Sequence, residues 1–278
     1  MKDIALTGVP RGGTTLACKL LGESRDTIAL AEPIEVASLP EQPGPAVQEI
    51  RDFFAETRRE LLATGRARGK LVAGEPTANF FGAEAGIGRR QLEARHGHML
   101  FDPPPKPGFT LAIKHNAAFA ALLPDLATAI PTIALVRHPL PVLASWQTVE
   151  LPVADGRLPA GERLDPTLRT RLGNLPDVLD RQLVILDWFF ARFAAAASLR
   201  LTIVKYEDVV ASDGQALFDA AGVSGTSRAL QDHISSPMYR ITDPGRLASA
   251  LAEVDGAWRT FYSAADDART LAQMLHSE

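Results

Sequence analysis

The stretch GVPRGGTT, near the start of the printed sequence, constrains the fold more than any other feature. It follows the apolar run Ile4 to Thr7 and leads into Thr15 to Leu21, so the pattern predicts a buried strand, a glycine-rich turn and a helix. In such a unit, backbone amides at the helix N-terminus face a ligand, and the ligand they favour is an anion. Gly8 and Gly13 match a phosphate-binding loop, but Thr14 stands where such loops carry a lysine.

Three further apolar runs predict strands, and helical patterns separate them along the chain. This alternation implies a parallel sheet with right-handed crossovers and helices on both faces. We therefore expect an α/β fold, a doubly wound parallel sheet flanked by helices. Its architecture would be that of P-loop-containing nucleotide-binding proteins, with helical or irregular insertions. The three runs are Phe109 to Ile113, Thr132 to Val136 and Leu201 to Val204.

A length of 278 residues with 46 % apolar content suits one sizeable domain. We predict a single domain over residues 1–278, with acceptor-binding insertions at about 40–107 and 150–174. The first contains a helical pattern at Ala46 to Ala63 and then Gly-rich and Arg-rich stretches. The second is rich in Pro and Gly without clear periodicity, and precedes a long helix near Pro176 to Ala197. Long irregular segments in a compact domain are often lids or binding loops.

The net charge of −4 argues against nucleic-acid binding through a general basic field, so any anion must be held by a local arginine cluster. The single cysteine, Cys18, excludes an internal disulfide and fits a reducing compartment. The apolar run at Ile4 leaves no room for a signal peptide, and no run reaches the roughly 18 residues of a membrane span. We expect a cytoplasmic protein without nucleic-acid or membrane partners; its oligomeric state stays open.

Polar residues follow the predicted strands at their carboxyl ends. Lys114 and His115 follow the second strand, Arg137 ends the third and Tyr206 ends the fourth. The carboxyl ends of parallel strands meet at one edge, which is the ligand crevice of an open α/β sheet. Topology should therefore bring these side chains to the glycine-rich turn. The turn itself offers Arg11, Gly12, Gly13, Thr14 and Thr15 for binding.

The order of residues in PRGGTT resembles the sulfotransferases that use 3′-phosphoadenosine 5′-phosphosulfate (PAPS) and release 3′,5′-ADP, and the likeness is closest to the tyrosylprotein and related branch. A second signature of that family is an arginine at a strand end with a serine eight residues later, as Arg137 and Ser145 stand in VRHPLPVLAS. The resemblance implies that this pair holds the donor's 3′-phosphate, for which an arginine and a hydroxyl are suitable partners. It also implies that Tyr206 in KYEDV lies near the adenine. The resemblance spans Ile4 to about Val210 through separated short motifs.

For the loop, the resemblance implies that Arg11, Thr14, Thr15 and Lys114 stabilise the bridging oxygen and the departing 5′-phosphate. A transferring sulfonyl group carries less charge than a γ-phosphoryl group, so amides and one or two cations can suffice without a metal. We predict no metal site. The histidines of HGH, His96 and His98 in a Gly-rich and Arg-rich loop, are interpreted as solvated.

Two residues are candidates for the base that takes the acceptor's proton. His115 precedes Arg137 by twenty-two residues, the spacing of the catalytic histidine in the cytosolic sulfotransferases. Glu32 follows Thr15 by seventeen residues, where the tyrosylprotein branch places a catalytic glutamate. Either can accept a proton if its pKa lies near the working pH. The likeness of the loop favours Glu32, and His115 stays an alternative.

The resemblance predicts a sulfotransferase acting on a hydroxyl of a small molecule or a sugar. One alternative is an ATP-dependent kinase of a small metabolite, against which Thr14 counts, and another is a non-catalytic nucleotide-binding module. The family's C-terminal Arg-Lys-Gly segment is not recognisable, and Arg240 or Arg246 is the candidate replacement. Neither insertion contains a motif that specifies the acceptor. The arginines of the first insertion could attract an anionic acceptor, but a solvated, charged loop is the favoured interpretation. They are Arg66, Arg68, Arg89 and Arg90.

Overall fold

The computed structural model describes residues 2–82, 88–197, 199–232, 234, 239 and 242–275. Five of the strands in these ranges form one parallel sheet in the order β2-β5-β1-β6-β7, and β3 and β4 form a separate antiparallel ribbon. The predicted α/β class with a parallel sheet is confirmed. The strands are β1 (Lys2–Gly8), β2 (Thr27–Ala31), β3 (Arg66–Leu71), β4 (Arg95–Leu100), β5 (Thr110–Lys114), β6 (Thr132–Val136) and β7 (Leu201–Lys205).

Helices fill the connections between the strands of the main sheet and follow its last strand. None of the described helices is both long and apolar enough to cross a membrane. The helices are α1 (Thr14–Gly22), α2 (Pro43–Thr64), α3 (Ala117–Ala121), α4 (Leu123–Ala129), α5 (Pro139–Gln147), α6 (Pro159–Leu164), α7 (Pro166–Gly173), α8 (Val178–Ala195), α9 (Tyr206–Ala211), α10 (Gln215–Ala221), α11 (Pro244–Ala252) and α12 (Ala264–Leu275).

The central strand β1 positions the ligand edge of the sheet. Its residues from Ile4 to Gly8 are buried, because a strand between two parallel neighbours is covered on both faces. Leu6 is in register with Lys114 on β5, and Gly8 is in register with Leu135 on β6. The carboxyl ends of β5, β1 and β6 therefore lie side by side, as the sequence predicted.

The structure contains one strand of the sheet that the sequence analysis did not identify. β2 (Thr27–Ala31) pairs with β5 at the edge of the sheet, and Ala31 is in register with Lys114. The run TIALA is short and lies close behind α1, so periodicity alone gives little sign of it. Its position matters because Glu32 follows it directly.

Both segments expected to be irregular contain regular structure. The Gly-rich and Arg-rich part of the first insertion forms the β3–β4 ribbon, in which Arg68 pairs with His98 and Lys70 pairs with His96. The loop expected at His96 and His98 is therefore a strand, since the alternation of small and charged residues builds one, whereas both histidines are exposed to solvent as expected. The second insertion contains a short turn at Pro152–Asp155 and then α6 and α7.

Candidate functional site

The glycine-rich turn between β1 and α1 has a backbone that requires glycine at its last position. Gly13 has φ of 89°, and a Cβ built on it would lie 2.4 Å from the ring of Tyr206. A side chain would therefore be strained and would also clash. No side chain caps the start of α1, so the amides of its first turn are left for a ligand.

Arg11 projects from this turn, and its guanidinium group is held on three sides. Its Nε donates to Oγ of Ser145 at 3.0 Å, and its NH1 donates to Oδ1 of Asn79 at 3.3 Å. The guanidinium carbon lies 4.8 Å from the centre of the Phe81 ring. These contacts fix the cation in the turn that precedes α1, and it is the cation that this turn offers although the lysine position of a nucleoside-triphosphate loop is taken by Thr14.

Arg137 directly follows β6 and lies over the same turn. Its guanidinium carbon is 4.4 Å from the centre of the Tyr206 ring, and its NH1 donates to the carbonyl oxygen of Arg11 at 3.5 Å. Asp232 approaches it at 3.7 Å. Ser145 was expected to act with Arg137, but its hydroxyl instead accepts the hydrogen bond from Arg11. The structure thus brings the predicted residues together through Arg11.

Tyr206 is the first residue of α9 rather than the last residue of β7. Its ring is buried between Gly13 and Arg137. The stacking joins the turn after β1, the end of β6 and the end of β7 into one surface.

A cavity of about 680 Å³ opens above the turn, and we call it the loop cavity. Among its described lining residues six are cationic and one, Glu32, is acidic. Burial, followed by the charges of Arg90 and Arg137, lowers the pKa of Arg11 to about 10. Like charges gathered in a partly desolvated space favour binding of an anion. The cations are Arg11, Lys70, Arg90, Lys114, Arg137 and Arg228.

Glu32 lies between two lysines in the lining of this cavity. Lys114 donates to its Oε1 at 2.6 Å and Lys70 donates to its Oε2 at 2.5 Å. Burial by itself raises the pKa of the carboxyl group, but Lys114 and Lys70 outweigh it and hold the pKa far below its usual range. Glu32 is therefore an ionised carboxylate that can accept a proton. It becomes a stronger base once a lysine moves away, because the pKa then rises.

His115 lies nearby, but its ring is engaged differently. The backbone N–H of Ile34 donates to its Nε2 at 3.1 Å, and the ring packs on Phe119 at 5.1 Å between centres. A backbone N–H can only donate, so Nε2 is the acceptor and the neutral ring carries its proton on Nδ1. Burial lowers the pKa of His115 to about 3. In this geometry the imidazole holds the backbone that follows β2. Its one lone pair is already used, so the ring has none left to take a proton from a substrate hydroxyl.

A second cavity, of about 340 Å³, adjoins the first, and we call it the insertion cavity. Both insertions line it, the first through Lys70 and His96 and the second through residues 151–160. Glu32 and His115 both border this space. The residues common to the two cavities are Pro10, Glu32, Lys70, Asn116 and Leu151.

Several lining residues were missed by the sequence analysis or interpreted otherwise. Arg90 is buried rather than solvated. The carbonyl oxygen of the Asn116 side chain is buried, and no hydrogen-bond donor is found for it within the described residues. The alternation in RARGKL signals a strand that would have drawn attention to Lys70, whereas no local pattern marks Arg90 or Asn116.

Neither arginine that was the candidate replacement for the C-terminal Arg-Lys-Gly segment is found among the described residues that line the loop cavity. Arg240 lies outside the described residues. Arg246 is exposed in the first turn of α11 and does not line the loop cavity. Arg228 does line it, in a segment whose neighbours at 229–231 also contribute. In the described part of the chain, no group of three His, Cys, Asp or Glu side chains is arranged to hold a metal.

The fold and the site together define an α/β protein with a cavity lined by several cations at the carboxyl edge of a parallel sheet. No family model and no curated protein matches the chain. A solved structure described as the sulfotransferase domain from the curacin biosynthetic pathway resembles it over 99 % of this chain and 97 % of that one, with a TM-score of 0.42 and 13 % identity. Similarity at this level does not establish a common activity.

Proposed function

We propose that the protein is a PAPS-dependent sulfotransferase that transfers a sulfonyl group to the hydroxyl of a small acceptor. The observation that carries the proposal is the junction of the two cavities at Glu32, one cationic and bordered by a helix N-terminus, the other formed by the insertions. A group-transfer enzyme needs such a donor space and acceptor space with ionisable groups between them.

The described residues of the loop cavity fit the donor. The amides at Thr14 and Thr15 and the side chain of Arg11 suit the 5′-phosphosulfate, since they combine an open helix N-terminus with a fixed cation. Arg137 suits the 3′-phosphate and Tyr206 supplies an aromatic face. A volume of about 680 Å³ is within the range of cofactor pockets.

When bound, PAPS supplies the sulfonyl group, and its bond from sulfur to the bridging oxygen breaks as the bond from the acceptor oxygen to sulfur forms. Glu32 takes the hydroxyl proton of the acceptor. Lys114 and Arg11 stabilise the negative charge that develops on the departing 5′-phosphate, which leaves as part of 3′,5′-ADP. Arg11 is fixed in place beforehand and Lys114 turns to the donor when it binds, so both cations are in position before the bond breaks and lower the barrier without further rearrangement.

Glu32 is the better base of the two candidates because of its surroundings. His115 has its Nε2 occupied by the amide of Ile34, whereas Glu32 is an ionised carboxylate at the junction of the cavities. The ammonium group of Lys114 contacts Glu32 and also lines the loop cavity. An anionic donor attracts that ammonium group, and the movement raises the proton affinity of the carboxylate.

Binding of nucleotides tests the proposal directly. Calorimetric titration with 3′,5′-ADP, AMP, and ATP with Mg²⁺ should show the tightest binding for 3′,5′-ADP. Incubation with PAPS and a panel of alcohols should then release 3′,5′-ADP in proportion to a sulfated product. Binding of ATP with Mg²⁺ but not of 3′,5′-ADP would overturn the proposal in favour of a kinase. Binding of 3′,5′-ADP without transfer to any alcohol would favour a non-catalytic module.

A further inference from the structure

The walls of the insertion cavity are mostly apolar, and they include Ile34, Val36, Ala118, Leu151, Val153 and Leu158. Two of its charged side chains already have partners: Glu32 binds two lysines, and Nε of Arg157 donates to Glu162 at 3.0 Å. The buried Oδ1 of Asn116, for which no donor is found within the described residues, is left to accept a single hydrogen bond. A sugar carries hydroxyls around its whole ring, and each buried hydroxyl without a partner costs about 1 to 3 kcal/mol. These walls suit an apolar alcohol better than a sugar.

One face of the β3–β4 ribbon leads away from this cavity. Alternate residues of a strand share a face, so Arg66, Arg68 and Lys70 lie in a row, with His98 opposite Arg68 and His96 opposite Lys70. Lys70 and His96 line the insertion cavity, and Arg66 and Arg68 continue the row into solvent. The row thus begins at the acceptor end of the site.

The charge along this row is not neutralised at its outer end. Glu32 balances Lys70, but within the described residues neither Arg66 nor Arg68 forms a salt bridge. Burial lowers the pKa of His96, and the charges of Arg68 and Lys70 lower it further, against smaller opposing effects of Glu35 and Glu32. The outer end of the row therefore carries the positive charges of Arg66 and Arg68, while Glu35 lies in the lining of the cavity itself.

We infer that the acceptor is an apolar alcohol with an anionic group on the same chain, the hydroxyl lying at Glu32 and the anion at Arg68. The inference rests on the proposed function and specifies its acceptor. Two residues of a strand span roughly 7 Å, so the hydroxyl and the anion are separated by a chain of several carbons. A carboxylate and a phosphate share the required charge.

The test compares four acceptors that differ only at the end remote from the hydroxyl. They are ω-hydroxyoctanoate, ω-hydroxyoctyl phosphate, octanediol and ω-aminooctanol, with glucose as the sugar. We expect kcat/KM to be about five-fold higher for the two anions than for octanediol, since an exposed ion pair contributes up to about 1 kcal/mol. ω-Aminooctanol and glucose should be the poorest acceptors, with the lowest kcat/KM. Calorimetry on the nucleotide-free protein should give the same order of affinity.

The variant Arg68→Gln should remove most of the preference for anions and leave kcat/KM for octanediol within about two-fold. The matched control is Arg95→Gln, on the opposite face of the same ribbon, which should keep the preference. Added salt should also reduce the preference for anions, because exposed charges are screened.

Equal kcat/KM for octanediol and the anions, with 3′,5′-ADP binding intact, would overturn the inference and leave the proposed function standing. If the protein does not bind 3′,5′-ADP at all, both the inference on the acceptor and the proposed function would be overturned.

Discussion

The ammonium group of Lys114 lies 2.6 Å from Oε1 of Glu32, and the amide N–H of Glu32 donates to the carbonyl oxygen of Lys114 at 2.8 Å. The same two residues are thus joined through side chain and backbone, because β2 and β5 pair in parallel and Ala31 is in register with Lys114. Glu32 also has φ of 48°, which turns the chain directly after the strand. Sheet register, rather than a flexible loop, holds the carboxylate at the junction of the two cavities.

Glu32→Gln should abolish turnover while leaving the affinity for 3′,5′-ADP within a few-fold of wild type. The amide keeps the shape but cannot take a proton, and a general base typically contributes a factor of about 10² to 10⁴. Single-turnover rates with PAPS and calorimetry with 3′,5′-ADP measure the two effects separately. Activity retained in Glu32→Gln but lost in His115→Gln would move the role of base to the histidine.

The stability of the fold should rise with pH between about 5 and 6.5. Burial lowers the pKa of His115 to about 3 from an ordinary 6.5, and that of His138, beside Asp267, to about 4. In this window the unfolded chain binds more protons than the folded one, so each histidine adds a slope of about 1.4 kcal/mol per pH unit near pH 5 and about half of that at pH 6.5, where the unfolded imidazole is half protonated.

Near pH 5, His115→Gln should reduce that slope by about 1.4 kcal/mol per pH unit, since the amide oxygen accepts from Ile34 but does not titrate. Urea denaturation at several pH values gives the free energy of unfolding for both proteins. Parallel pH curves for wild type and variant would show that His115 is not buried in the neutral form.

Gly13→Ala should destabilise the protein and weaken nucleotide binding. The new Cβ meets the Tyr206 ring at 2.4 Å and is placed on a backbone with φ of 89°, which together cost about 2 to 4 kcal/mol. Tyr206→Leu in the same chain should recover the part due to the clash. A double-mutant cycle from urea denaturation measures this coupling, and strict additivity would contradict the close contact.

Arg137→Ala should reduce the preference for 3′,5′-ADP over AMP by about ten-fold to a hundred-fold, the worth of one charge-assisted contact to phosphate. AMP binding should change little. Ser145→Ala should act differently, because its hydroxyl holds Arg11, and both nucleotides should weaken together. Calorimetric titration of 3′,5′-ADP and AMP into wild type, Arg137→Ala and Ser145→Ala measures these affinities. An equal loss for both ligands in Arg137→Ala would assign Arg137 to the 5′ end of the nucleotide or to the fold.

The sheet could be predicted because its central strands are continuous apolar runs, and parallel topology then places Lys114 and Arg137 at the glycine-rich turn. The ribbon was missed although RARGKL alternates, because the composition of these segments is Gly-rich and Arg-rich, and because the pairing of β3 with β4 joins segments that lie far apart in the sequence. Contacts between distant segments, such as Arg11 with Ser145 or Glu32 with Lys70, depend on register and rotamer. Sequence spacing alone does not specify either.

Because the Tyr206 ring packs against Gly13, the loop cavity can be completed only late in the synthesis of the chain. The turn is made near the beginning of the chain, but the aromatic wall that covers it arrives only with the end of β7, almost two hundred residues later. A ribosome-bound chain that has emerged only as far as α8 has the amides without this wall and without Arg228. If the proposed function holds, nucleotide binding should therefore report completed folding, since a partly synthesised chain lacks the surface proposed for the base.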